Sequence, residues 1–213
     1  MLKAAATGFH HFLDQLAVSG RLLRHYTQNV DCIECTLPSI SPDRSASAQD
    51  PLPKTLQLHG RLDTMMCHTC RWTGAFKSEL FHGPSTPSCQ QCEKKNAERI
   101  AMGKRSIGIG RLRPKVLLYG ETDPNDTIGA TSVRDLMKGP DAVIIAGTLL
   151  KIPAARRLAR EFCRAAKARK GGITIWINKE WPSLGKDFEG LLDYTVCGDC
   201  DTAASIFSAN PGH

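Results

Sequence analysis

The sequence has 213 residues, 41% of them hydrophobic, a length that suits one large domain or one domain with a small appendage. A formal charge of +7 favours acidic partners such as nucleic acid or chromatin, although a solvated basic surface accounts for it equally well. Nine cysteines, an odd count, argue against a closed disulfide framework, no run approaches the ~20 consecutive apolar residues of a spanning helix, and no apolar secretory core opens the chain.

In chain order, Phe9, Phe12, Leu13, Leu16 and Ala17 recur on one face of a helix that Gly20 stops. Asp14 and the scarcity of Ser and Arg argue against reading residues 1–24 as a transit peptide, so cytosol or nucleus is expected. Leu22 to Thr27 reads as a short strand running into a polar tip at Gln28-Asn29. Leu37 to Lys54, rich in Pro, Ser and Asp, is expected as an exposed loop. Two cysteine pairs follow within residues 56–92. Glu93 to Arg113, with seven Lys or Arg and several Gly, reads as a basic connector. Val116–Tyr119, Ala142–Ala146 and Ile173–Ile177 are apolar runs suited to strands buried on both faces. Pro153 to Lys170 has a helical pattern with Pro near its start and Gly171-Gly172 at its end. A last strand near Tyr194–Val196 leads through Gly198-Asp199-Cys200-Asp201 into a closing helix. The alternation implies an α/β fold, a parallel sheet with helices on both faces.

Cys67-x2-Cys70, eighteen intervening residues and Cys89-x2-Cys92 match the spacing of a four-cysteine zinc site. Two residues between ligands let each pair turn both sulfurs onto one ion. Four thiolates close the tetrahedron, so the zinc has a structural role. Cys32-x2-Cys35 and Cys197-x2-Cys200 share the local spacing but each follows a predicted strand, and both are read as ordinary thiols. His68, between two well-spaced cysteines, is not taken as a ligand.

In open α/β sheets, ligands bind beyond the carboxyl ends of the strands. Three such ends carry suitable residues: Thr27-Gln28-Asn29-Val30-Asp31, Gly147-Thr148 and Asn178. Gly147 lets a ligand approach the backbone, Thr148 can bond phosphate or ribose, and Asn178 a ribose hydroxyl, although plain turns use the same residue types. His59-Gly60 has the imidazole of a general base with open space beside it, or else a structural histidine.

The order of these motifs resembles the sirtuin family. Tyr26-Thr-Gln-Asn-Val-Asp31, His59-Gly60, the four cysteines, Arg113-Pro114, Tyr119-Gly120-Glu121, Gly147-Thr148, Ile177-Asn178 and Gly198-Asp199-Cys200-Asp201 stand in the sirtuin order across roughly residues 8 to 207. Leu117-Leu-Tyr-Gly-Glu-Thr-Asp-Pro124 and Arg160-Glu-Phe162 most resemble the fungal nuclear, histone-deacetylating branch. The resemblance implies a Rossmann-like large domain, here residues 1–55 and 111–213, and a small zinc-ribbon domain with its basic connector, residues 56–110. NAD and an acetylated lysine would meet between the domains. It also implies that the acetyl oxygen attacks the ribose carbon as nicotinamide leaves, and that His59 is the general base. Gln28 and Asn29 would contact the nicotinamide ribose, Asn29 also serving catalysis, and Asp31 the carboxamide. Gly147, Thr148, Asn178 and Cys200 would line the adenosine end, and Gly120 and Glu121 would pair with the substrate by strand addition. The implied activity is NAD-dependent protein-lysine deacetylation, in the nucleus or else the cytoplasm, on a histone tail or core lysine, with no membrane partner.

Two features depart from the family pattern. Leu149 stands where a serine usually follows Gly-Thr. The family's first strand, glycine-rich loop and Asp-Phe-Arg segment have no counterpart in this sequence, since Gly108-Ile-Gly110 is followed by Arg113-Pro114 and not by a helix N-terminus. On that reading residues 1–213 alone are expected to show little deacetylase activity. An inactive binding module, or a zinc-ribbon nucleic-acid binder resting on the basic connector, are the alternatives.

Overall fold

The computed structural model describes residues 4–43, 52–118, 121, 127–183 and 185–209. In chain order its elements are α1 (Gly8–Val18), β1 (His25–Thr27), β2 (Thr55–Gln57), β3 (Gly60–Cys67), β4 (Thr73–Ala75), α2 (Gln90–Ala101), β5 (Leu112–Val116) and α3 (Thr127–Lys138). Then follow β6 (Ala142–Ala146), α4 (Pro153–Lys167), β7 (Ile173–Asn178), β8 (Tyr194–Cys197) and α5 (Cys200–Ala209). They divide into two compact units: Met1–Gln28, Ile33–Leu58 and Thr122–His213 form one, Asn29–Cys32 and His59–Glu121 the other.

In the first unit β6, β7 and β8 form a parallel sheet in that order, with Ile145 opposite Trp176 and Ile177 opposite Val196. The central strand is the buried one, and Trp176 and Ile177 are fully inaccessible. Every residue of β8 is exposed, and among the described residues β8 is an edge strand paired only with β7. Helix α4 begins with Pro153 at its first turn, where a missing N–H costs no intrahelical bond. Its Ala155, Phe162, Cys163 and Ala166 are buried, and it packs against β6 and β7. The β1–β2 pair is a separate parallel ribbon, His25 opposite Thr55; β1 is three residues long, so Leu22–Arg24 lie outside the strand expected from Leu22 onward.

Helices α1 and α5 lie against each other. Phe12 and Phe207 pack with ring centroids 5.7 Å apart, and Asp201 Oδ1 accepts the Phe9 N–H at 2.8 Å. Leu13 packs with Leu37 and Ile40, and Ile40 has no exposed surface. The first part of the expected exposed loop is therefore core, because two apolar side chains among its Pro and Ser residues suffice to anchor it; residues 44–51 lie outside the described residues. β1 is tied to α3 by a buried ion pair. Arg24 Nε and Nη2 donate to the two carboxylate oxygens of Asp135 at 2.8 and 3.0 Å, and Tyr26 Oη donates to Asp135 at 2.8 Å.

The second unit is built on an antiparallel sheet, β4–β3–β5, with an irregularity between Arg61 and Met65. Two expectations are corrected here. Glu93–Ala101 continues α2 instead of serving as a connector, since Gln90–Ala101 is rich in Gln, Glu, Lys, Ala and Arg, all strong helix formers. Of the predicted strand Val116–Tyr119, Val116 is in a strand and Leu117 and Leu118 are not, and β5 pairs antiparallel with β3 instead of joining the parallel sheet. Leu118 is 57% exposed; Tyr119 lies outside the described residues.

Candidate metal centre and active-site residues

The four cysteines predicted as metal ligands come together: their sulfurs all lie within 4.8 Å of one another. Cys67 ends β3, Cys70 sits in the turn after it, and Cys89 and Cys92 open α2. The Cys67–Cys92 and Cys70–Cys89 sulfurs are 3.8 and 3.7 Å apart. Four sulfurs on a tetrahedron at a zinc–sulfur distance of about 2.3 Å stand ~3.8 Å from each other, so the cage has the size of a zinc thiolate centre and not of a disulfide. Arg71, at φ +62, carries the chain through the first tight turn and donates its N–H to the Cys67 carbonyl at 3.1 Å. Gly110 closes the cage from outside, where a Cβ would collide with the Cys67 sulfur. Burial raises the Cys67 thiol, but the N–H groups of Cys70 and Thr69 aimed at its sulfur outweigh that and bring it down to about 7. Burial pushes the Cys89 thiol up to about 12. A divalent ion among them would hold all four as thiolates. His68 is not part of this cluster; its Nδ1 accepts the Arg111 N–H at 3.1 Å.

In the same unit His59 leads into β3. Leu117 N donates to the His59 carbonyl at 2.9 Å, and Gly60 follows at φ +81, where a Cβ would collide with the Lys115 carbonyl. Glycine is thus required beside the imidazole by backbone packing. His59 Nε2 is buried and has no hydrogen-bond partner among the described residues. A buried polar nitrogen left open in this way is costly unless a ligand completes it. Asn29 and Asp31 are exposed on the polar tip after β1, where Val30 accepts the Leu62 N–H at 2.9 Å. Glu121 is clamped by Arg113, whose Nη2 reaches both carboxylate oxygens at 2.7 Å, and its Oε2 accepts the Leu118 N–H at 3.1 Å. That N–H, then the guanidinium, hold its carboxyl below the usual range. Gly120 lies outside the described residues.

In the first unit Gln28, Gly147, Thr148, Asn178 and Cys200 gather at the carboxyl ends of β1, β6 and β7 and the start of α5. Gln28 Nε2 donates to Thr148 Oγ1 at 2.8 Å. Gly147, at φ +64, donates its N–H to the Ile177 carbonyl at 2.9 Å, and the Cys200 sulfur stands 3.9 Å from where a Gly147 Cβ would be. Asn178 Oδ1 accepts the Lys179 N–H at 3.0 Å, and its backbone carbonyl accepts from Gly198 at 2.8 Å. Burial, then Asp199 and Asp201, raise the Cys200 thiol, so it is a neutral group. Glycine at positive φ beside a threonine hydroxyl gives backbone room and one polar handle, which suits a nucleotide.

Two contributors went unforeseen in the sequence. Leu150 adopts φ +48 although it is not glycine, held there by burial and by Thr148 Oγ1, which accepts its N–H at 3.1 Å. The Arg24–Asp135–Tyr26 cluster holds β1 in place just before Gln28, and its only sequence signal is the charged Arg24 inside an otherwise strand-like run.

The Sir2 family model matches residues 1–154. The chain is 42% identical over 205 residues to NAD-dependent protein deacetylase hst4 of Emericella nidulans, covering 96% of this chain and 34% of that protein. It is 39% identical over 210 residues to NAD-dependent histone deacetylase HST4 of Saccharomyces cerevisiae, covering 94% and 56%. It therefore spans between about a third and just over half the length of these relatives. Among solved structures, a Sir2–p53 peptide–NAD+ complex superposes with TM-score 0.71 at 18% identity over 99% of this chain and 72% of that one. A Sir2 homologue–NAD complex superposes with TM-score 0.69 at 23% identity over 96% and 64%. These two share the fold.

Proposed function

The chain belongs to the Sir2 family, and from that premise we propose that it carries the NAD and acetyl-lysine sites of a nuclear protein deacetylase acting on histones. The observation that bears most on this reading is the buried His59 Nε2, which has no hydrogen-bond partner among the described residues and is open to a ligand. The relatives are named for NAD-dependent deacetylation of protein or histone.

When bound, NAD supplies the ribose carbon that takes the acetyl group as nicotinamide departs. The role of the chain is to bind, orient and move protons. Gln28, Gly147, Thr148, Asn178 and Cys200 would hold the nucleotide, with Gly147 admitting it close to the backbone. Asn29 would orient the reacting ribose and Asp31 the carboxamide. His59 Nε2 would accept a proton from a ribose hydroxyl. Glu121, with Gly120, would line the peptide, with the Arg113 clamp fixing the Glu121 side chain so that the backbone is presented. Zinc, held by Cys67, Cys70, Cys89 and Cys92, would fix the second unit and take no part in the chemistry.

The test uses NAD and an acetylated histone peptide with a protein that contains these residues. His59→Ala is expected to lower turnover at least a hundredfold while NAD affinity by calorimetry stays within about threefold, because the base acts after binding. Turnover within a few-fold of the parent would remove His59 from the chemistry.

A further inference from the structure

Residues 94–105 carry five cations, Lys94, Lys95, Arg99, Lys104 and Arg105, against one acid, Glu98. Helix α2 and the segment after it do not trail apart. Gly103 N donates to the Ile100 carbonyl at 2.9 Å and Lys104 N to the Arg99 carbonyl at 2.9 Å, which turns the chain back. Arg99 Nε then reaches the Arg105 carbonyl at 3.3 Å, and Ile107 N donates to Asn96 Oδ1 at 2.8 Å. Asn96 and Arg99 are i and i+3 on one helix face, so the return segment runs back along that face and sets Lys104 and Arg105 beside Arg99. Lys95, four residues before Arg99, extends the same row.

An ordinary solvated surface pairs many of its charges, and four of the five cations of α4 are paired. Arg156 and Arg160 meet Asp187, Arg164 meets Glu161, and Lys167 meets Asp193. Lys94, Lys95, Lys104 and Arg105 are exposed, and among the described residues no carboxylate lies within ion-pair reach of them. Residues 29–32 and 59–121 together hold eleven Lys or Arg against six Asp or Glu, so even a zinc thiolate centre of formal charge −2 leaves this unit positive. Anchoring of α2 at Cys89 and Cys92 makes the array a fixed one, which lowers the ordering cost of binding.

We propose that the outer face of α2 with its return segment, residues 94–107, is a docking surface for the phosphate backbone of duplex DNA. The helical part of the array, residues 94–101, is about 12 Å long, with the return segment lying beside it. Its charged groups are mostly lysines and form no apolar groove, which suits phosphates along a duplex and sequence-independent binding. An acidic protein would need apolar anchoring, for which Ile100 and Met102, exposed by 56% and 68%, are the side chains at hand.

The experiment measures binding of residues 1–213 to a fluorescent DNA duplex of arbitrary sequence across about 50–200 mM salt. Affinity is expected to fall with salt along a log–log slope of about −4, that of four to five neutralised phosphates. The K94Q/K95Q/K104Q/R105Q variant should lose at least tenfold in affinity and most of that slope with zinc content unchanged, whereas I100S/M102S should bind as the parent does. In the unaltered chain, DNA should shield Lys94, Lys95 and Lys104 from amine acetylation, a readout that needs no variant. Unchanged affinity in the quadruple variant, or lysines that DNA leaves open, overturns the proposal. Tight binding of polyglutamate that I100S/M102S abolishes, without binding of DNA, overturns it in favour of an acidic protein.

Discussion

Gln28 Nε2 donates to Thr148 Oγ1 at 2.8 Å, and this bond joins the end of β1 to the end of β6 although the two strands belong to different sheets. The same hydroxyl oxygen accepts from Leu150 N and holds that residue at positive φ. One oxygen therefore fixes both a side chain proposed to touch the nucleotide and the loop proposed to cradle it. Thr148→Val keeps the shape and deletes the acceptor of both hydrogen bonds. It should cost about 1–3 kcal/mol in thermal unfolding and lower NAD affinity about tenfold, read by calorimetry on a protein containing these residues. Thr148→Ser should restore most of both, and a valine variant with unaltered affinity would mean that the bond orders nothing at the site.

Loss of one metal ligand should be felt across the second unit. Cys67→Ser or Cys92→Ser is expected to drop zinc from one ion per chain to near zero, as measured by mass spectrometry of metals. Protection of β3 and β5 amides from exchange should fall with it, because a structural zinc contributes folding free energy directly. Cys163→Ser, a buried thiol in the core of the first unit outside the cluster, should leave zinc content unchanged.

The buried pair of Arg24 and Asp135 predicts an asymmetry. Asp135→Asn leaves a guanidinium enclosed with side-chain exposure of 1% and should destabilise by about 3–5 kcal/mol in denaturant unfolding. Arg24→Met with Asp135→Leu removes both charges and should recover much of that loss, since two charges no longer need to be desolvated. A double variant as unstable as the single one would show that the hydrogen bonds to Tyr26, Leu52 and Pro53 carry the stabilisation.

His25 supplies a pH dependence. Burial, with a smaller contribution from His10, lowers its imidazole from 6.5 to about 4. The unfolded chain then binds a proton that the folded chain does not, so this contribution is full above pH 6.5 and is lost progressively as the pH falls towards about 4. The loss should not exceed about 3.5 kcal/mol, and His25→Gln should flatten stability across that window. Equal pH slopes for parent and variant would contradict the burial of a neutral ring.

Much of this protein was legible in its residues. Cys67, Cys70, Cys89 and Cys92 announce their cluster by spacing alone, because ligation needs only short turns and sulfur. The strands at Ala142–Ala146 and Ile173–Ile177 and the helix expected over Pro153–Lys170, which the structure ends at Lys167, follow from short-range apolar period and from Pro and Gly placed at element ends, which depend on neighbours within one or two turns. The family's motif order placed Gln28, His59, Thr148 and Asn178 among the candidates. What only the tertiary structure decided is pairing at a distance. Whether Val116 joins the parallel sheet or pairs with Gly60 depends on a partner strand over fifty residues away, and apolar composition is the same in both cases. The run from 93 to 101 has the charge of a linker, yet its helix formers continue the helix that begins after Cys89, and the turn at Gly103 folds its continuation back on it. Arg24 and Asp135 lie 111 positions apart, and nothing local marks them as partners. Propensity and ligand spacing act within a few residues, whereas burial, strand register and charge pairing are set by whichever surfaces the folded chain brings into contact.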